Sequence, residues 1–143
     1  MRRQKEVNML AEEIFKITMA MIDEMNTSGE LDPTTTAEYR AKAPSILSML
    51  QAEIIGIENR YRDTKEQISP VPIEDLDQPL QIDVIKATTL LTNGLAANLM
   101  LVEDKALANF FEQRYEEMKG LFLKPKPRKP ETRRDVYDST LNY

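Results

Sequence analysis

Apolar residues recur along this chain at steps of three and four, and that spacing constrains the fold more than any other feature. Val7, Leu10, Ile14, Ile17 and Met21 draw one stripe on a helix. No Gly or Pro precedes Gly29, so a first helix is expected from about Arg3 to Asn26, closed by Thr27-Ser28-Gly29. Asp32 stands where an N-cap belongs, and Pro33 at the first helical position, where its missing N–H does no harm. Leu47, Leu50, Ile54, Ile57 and Tyr61 repeat the spacing. Pro44 falls inside this region. It either kinks one long helix or separates a short Thr34–Lys42 helix from a second that begins near Pro44.

Residues 63–81 break the pattern with Pro70, Pro72 and Pro79 around Glu74, Asp75 and Asp77. A loop of this length inside a compact domain signals function or flexibility. Helicity resumes near Ile82, with Leu91, Leu95, Leu99 and Val102 on one face. Asp104 can cap a last helix that carries Leu107, Phe110, Phe111, Tyr115 and Met118 and closes near Gly120. From Lys124 the alternation Lys-Pro-Lys-Pro-Arg-Lys-Pro favours an extended, polyproline-like path. The fold expected is all-α: residues 1–123 as a bundle of four to five helices with a long Pro-containing loop, and residues 124–143 as an extended basic arm.

Composition removes whole classes of chemistry. The sequence holds no Cys and no His. That excludes disulfides, thiolate nucleophiles, Ser-His-Asp triads, Cys- or imidazole-ligated metals and the usual acid–base group near neutral pH. The lack of Cys fits the cytosol without fixing the compartment. Met1-Arg2-Arg3 could open a signal peptide, but Glu12 and Glu13 interrupt the apolar run it would need. The uncharged stretch Ala87–Val102 contains three Thr and two Asn and falls short of a membrane span. A soluble chain without membrane contact is expected.

Carboxylates are the remaining catalytic currency. Glu12/Glu13 and Glu116/Glu117 diverge by roughly 100° on a helix and do not readily share a site. The Glu74–Asp77 cluster offers oxygen ligands for a hard cation, yet lacks the spacing and Gly of a calcium loop. All of these, with Glu103/Asp104, are expected as solvated surface, with no catalytic residue, metal or cofactor. Met9, Met19, Met21, Met25, Met49, Met100 and Met118 lie on or beside the stripes and are expected in the core. Adjacent Phe110 and Phe111 cannot face the same way, so one is expected to cover a neighbouring element or a neighbouring subunit.

Charge divides unevenly. The formal net charge is −5, while residues 124–143 carry six basic and three acidic side chains, leaving −8 on the rest. An acidic body repels nucleic acid, and a basic arm seeks an acidic partner. The arm's cations also admit nucleic acid, although proline or acid separates them.

Asp77-Gln78-Pro79-Leu80, Leu95-Ala96-Ala97-Asn98-Leu99-Met100-Leu101 and Asn109-Phe110-Phe111-Glu112-Gln113-Arg114-Tyr115-Glu116-Glu117 resemble small head–tail connector (adaptor, or head-completion) proteins of tailed phages and prophages of Gram-positive bacteria. Asp135-Val136-Tyr137 is similar to the stretch that closes several of them. The likeness covers about a third of the chain. Thr92-Asn93-Gly94 stands where relatives often have a Pro-Tyr-Gly type turn, so the middle of the third helix is expected to differ. The resemblance implies a structural virion protein, assembled in the host cytoplasm and located at the head–tail junction. Copies of it would join into a ring, dodecameric in the family, beneath the portal protein. The ring extends the DNA channel and docks a downstream stopper or tail-completion protein, with DNA only passing through. The arm would grip the portal, with Arg128, Arg133, Arg134, Val136 and Tyr137 as contact residues and Tyr137 as the aromatic anchor. From the charge of −8 on the body, at least some of Glu74, Asp75, Asp77, Glu12 and Glu13 are expected to face that channel, where negative charge keeps DNA from adhering, and the sequence does not select among them. The rival is a helical scaffolding or regulatory module that binds one partner through its arm. A carboxylate-based metal enzyme is the third class.

Overall fold

A computed structural model describes residues 8–22, 32–34 and 36–123. The arm, with Arg128, Arg133, Arg134, Val136 and Tyr137, lies outside the described residues. Within them the chain is helical, with α1 (Ala11–Met21), α2 (Ala37–Asn59), α3 (Val84–Lys86), α4 (Thr92–Leu99) and α5 (Lys105–Phe122). A π-helical turn, Ala87–Leu91, joins α3 directly to α4. No β-strand occurs among the described residues.

The centre is α4, which packs against α1, α2 and α5. Consecutive residues Thr92 to Ala97 are all buried, so this helix is enclosed on every side rather than amphipathic. Gly94 permits the closest approach. A Cβ there would sit 2.8 Å from Leu50 Cδ1 on α2 and 3.1 Å from Tyr115 Cε1 on α5. Around α4 the core collects Ile14, Phe15 and Met19 of α1, Leu47, Leu50, Ile54 and Ile55 of α2, and Phe111 and Tyr115 of α5. Each such side chain contributes roughly 1.5–3 kcal/mol by leaving water.

α1 begins at Ala11, not near Arg3, because residues 76–80 hold the preceding backbone extended. Leu80 N–H donates to Met9 O at 2.8 Å, and Leu10 bridges to Pro79. The N–H groups of Ala11 and Glu12 then donate to Gln78 O and Leu76 O, which satisfies donors a helix start leaves orphaned. The buried face is Ala11, Ile14, Phe15, Thr18 and Met19, so Ile17 turns outward and Leu10 precedes the helix. Asp32 caps a turn rather than α2: its carboxylate accepts from Thr34 N–H, its carbonyl from Thr36, and the helix starts at Ala37. α2 passes Pro44 unbroken. Asp104 caps α5 by accepting from Leu107 N–H at 3.0 Å, and the helix runs two residues beyond Gly120. Met19 and Met100 are buried, and Met9, Met21 and Met118 pack at the edge of the core. Met49 is exposed, and Met25 lies outside the described residues.

The Pro-containing loop is pinned, not free. Ile73, Leu76, Leu80 and Ile82 enter the core. Amides do the rest. Buried Gln51 donates to Val71 O and Gln81 Oε1 and accepts from Gln81 N–H. Gln81 in turn accepts from Val71 N–H and donates to Ser69 O. Ser48 Oγ and the backbone of Ile73 bond reciprocally, and Asn59 holds the loop's start at Ile68.

Candidate functional site

The acids singled out in the sequence gather at one end of α2. Glu74, Asp75 and Asp77 are exposed, and with Glu12, Arg40, Ala41, Pro44 and Leu76 they border a shallow pocket of about 360 Å³. Glu12 points to Arg40, which bonds it through both nitrogens at 2.5 and 3.1 Å and lies over the Phe15 ring. That bond, with the nearby Asp77 charge, lifts the guanidinium further above its ordinary value despite partial burial. Glu13 takes another direction and accepts from Leu10 N–H. The two neighbours diverge as helix geometry requires.

The other paired carboxylates have local jobs. Tyr39 hydroxyl donates to Glu103, Asp104 caps α5, Glu116 pairs with Lys119 at 2.7 Å and Glu117 accepts from Gln113. Between α2 and α5, Glu53 accepts from Tyr115 hydroxyl at 2.6 Å and Lys119 at 3.0 Å. Burial alone would raise the Glu53 carboxyl, but these two donors and the Lys119 charge hold it below its ordinary value. Burial, then the bond to Glu53, pushes the Tyr115 hydroxyl far above the usual phenol range. Burial, and then Glu116, raises Glu112. Among the described residues no three His, Cys, Asp or Glu side chains converge as they would around a metal ion. No described helix is long and apolar enough to cross a membrane.

A second surface emerges only in three dimensions. The π turn and α5 enclose a groove of about 470 Å³, lined by Thr88, Thr89, Thr92, Asn93, Phe110 and Arg114 among others. Side chains along and after the turn bond its backbone carbonyls and those of α3. Thr88 and Thr89 hydroxyls donate back to the α3 carbonyls, Thr92 to Thr88 O and Asn93 to Thr89 O. The turn ends at Leu91, and Thr92-Asn93-Gly94 form the first turn of α4. Phe111 enters the core, while Phe110 stays 54% exposed with its ring edge-on to Phe111 and beneath Arg114. Arg114 Nε also donates to Asn93 Oδ1 at 3.2 Å. The adjacency of the two phenylalanines was the sequence signal for this surface. The threonines carried none.

The chain matches no family model, no curated protein and no solved structure.

Proposed function

We propose that this chain is the structural subunit of a phage head–tail adaptor, working without catalysis. Copies would form a ring beneath the portal, extend the DNA channel and offer a platform to a stopper or tail-completion protein. The observation that carries the reading is the likeness of residues 77–80, 95–101 and 109–117 to connector proteins. Two of these segments adjoin in the fold: residues 95–99 and 109–117 lie on α4 and α5, which pack together, while residues 76–80 hydrogen-bond to the start of α1, a helix that also packs on α4. An acidic body suits a channel wall, because DNA gains affinity where cations neutralise phosphates. The exposed acids Glu74, Asp75 and Asp77 are the described candidates for that wall.

Under this reading the arm docks on portal carboxylates through Arg128, Arg133 and Arg134, with Val136 and Tyr137 buried at the contact. The charge asymmetry equally suits a helical scaffolding or regulatory module, and gene order separates the two: an adaptor gene follows the portal and major capsid genes. Co-sedimentation with purified portal rings tests the contact. The full chain should bind, and Tyr137→Ala should weaken binding by about thirtyfold per subunit, the equivalent of ~2 kcal/mol. A full chain that leaves the portal untouched would remove the reading.

A further inference from the structure

We propose that the groove between the π turn and α5 receives the α4–α5 turn of a second copy of this chain, tip into groove. The inference deepens the ring reading and rests on it for its biological sense, but its physical grounds are separate. The tip is Leu101-Val102-Glu103-Asp104. Val102 is 90% exposed and Leu101 57% exposed, and Val102 is the most exposed large apolar side chain among the described residues. Exposed apolar residues are ordinary when scattered, but here two stand together at the end of a helical hairpin.

The turn that carries them is held at several points. Asp104 N–H donates to Met100 O, the Asp104 carboxylate caps α5, and Tyr39 hydroxyl reaches Glu103 from α2. Docking a preorganised tip forfeits little conformational entropy. The groove complements it in apolar character and in charge. Its floor is Phe110, Phe111, Leu107 and Met118, and its cation, Arg114, has no carboxylate partner among the described residues. The tip brings an aliphatic pair beside two carboxylates. Apolar side chains would cover Phe110, and Glu103 or Asp104 would lie near Arg114.

The tip ends the hairpin and the groove runs along its side, so the two patches differ. A contact of unlike patches is head-to-tail. It propagates from copy to copy and terminates only by closing into a ring.

The absence of cysteine makes the test direct. Val102→Cys and Thr89→Cys place single thiols on the tip and on the groove wall. A disulfide forms only where the two Cα atoms come within about 7 Å. Each full-length variant, oxidised alone, should stay monomeric on a non-reducing gel. Their equimolar mixture should give a covalent dimer, and a chain carrying both substitutions a ladder of multimers. Adding Arg114→Glu to the Thr89→Cys chain should cut the mixed dimer at least tenfold, with circular dichroism showing that the helices persist. Val102→Cys dimerising with itself as readily as with Thr89→Cys would indicate a symmetric contact and overturn the proposal. So would a mixture without cross-link, or a groove thiol that captures portal instead. Any of these leaves the adaptor reading to be judged separately, by where the protein sits in the virion.

Discussion

Replacing Gln51 by Ala should release the Pro-containing loop, and the structure sets the size of the effect. The substitution removes three hydrogen bonds: Gln51 Nε2 to Val71 O at 3.2 Å, Nε2 to Gln81 Oε1 at 3.1 Å, and Gln81 N–H to Gln51 Oε1 at 2.8 Å. At about 1 kcal/mol each the sum is about 3 kcal/mol. Water partly replaces the lost partners, since Val71 is exposed and Gln81 half-buried, and Ala is a slightly better helix former in mid-α2. A loss of about 2 kcal/mol remains, which lowers the melting temperature by roughly 6–8 °C for a body of this size. Urea unfolding followed by far-ultraviolet circular dichroism gives the free energy. Amide exchange locates it: protection should fall first at Gln81 and Val71, before the α4–α5 amides are affected. A loss below about 0.5 kcal/mol with the Gln81 amide still protected would show that the glutamine pair is incidental to the loop.

Asp104→Ala removes the α5 cap and should cost about 1 kcal/mol, read from the same urea transition. Pro44→Ala restores a backbone donor inside a helix that already passes this residue unbroken, so stability should rise by roughly 1–3 kcal/mol, read as a higher melting temperature. Glu53 has a folded pKa below its ordinary 4.5, so the stability it contributes is full above that value and is lost as pH falls through the folded value. Glu53→Gln should therefore flatten the acid limb of the stability–pH curve below pH 4.5, measured by thermal melts across that range.

The parts of the fold legible in sequence were those governed by local chemistry. Leu47, Leu50 and Ile54 are buried as their spacing predicts, and Asp104 caps the helix it precedes. The register of α1 differs from the expected stripe because Ile14, Phe15, Ile17, Met19 and Met21 spread over more than half of its circumference, so that several stripes compete and packing on α4 selects one. Its start was misplaced because Met9 and Leu80 pair across seventy residues, and so short an extended contact leaves no periodic trace. Gln51 sits on an apolar face as a lone polar residue, and only its partners 20 and 30 positions away reveal its task. At the candidate surfaces, the acids Glu74, Asp75 and Asp77 were visible as a cluster. The groove was visible only as an adjacent pair of phenylalanines, since its other wall is a π turn that leaves no periodic signal in the sequence.

Imaging of intact virions tests the central claim most directly. The adaptor account predicts that a tailed phage encodes this chain and that a cryo-electron microscopy map of its virions shows a ring of α1–α5 bodies between portal and tail, with the α4–α5 hairpins in contact from copy to copy. Virions in which that position is filled by another protein, or density for this chain elsewhere, would contradict it.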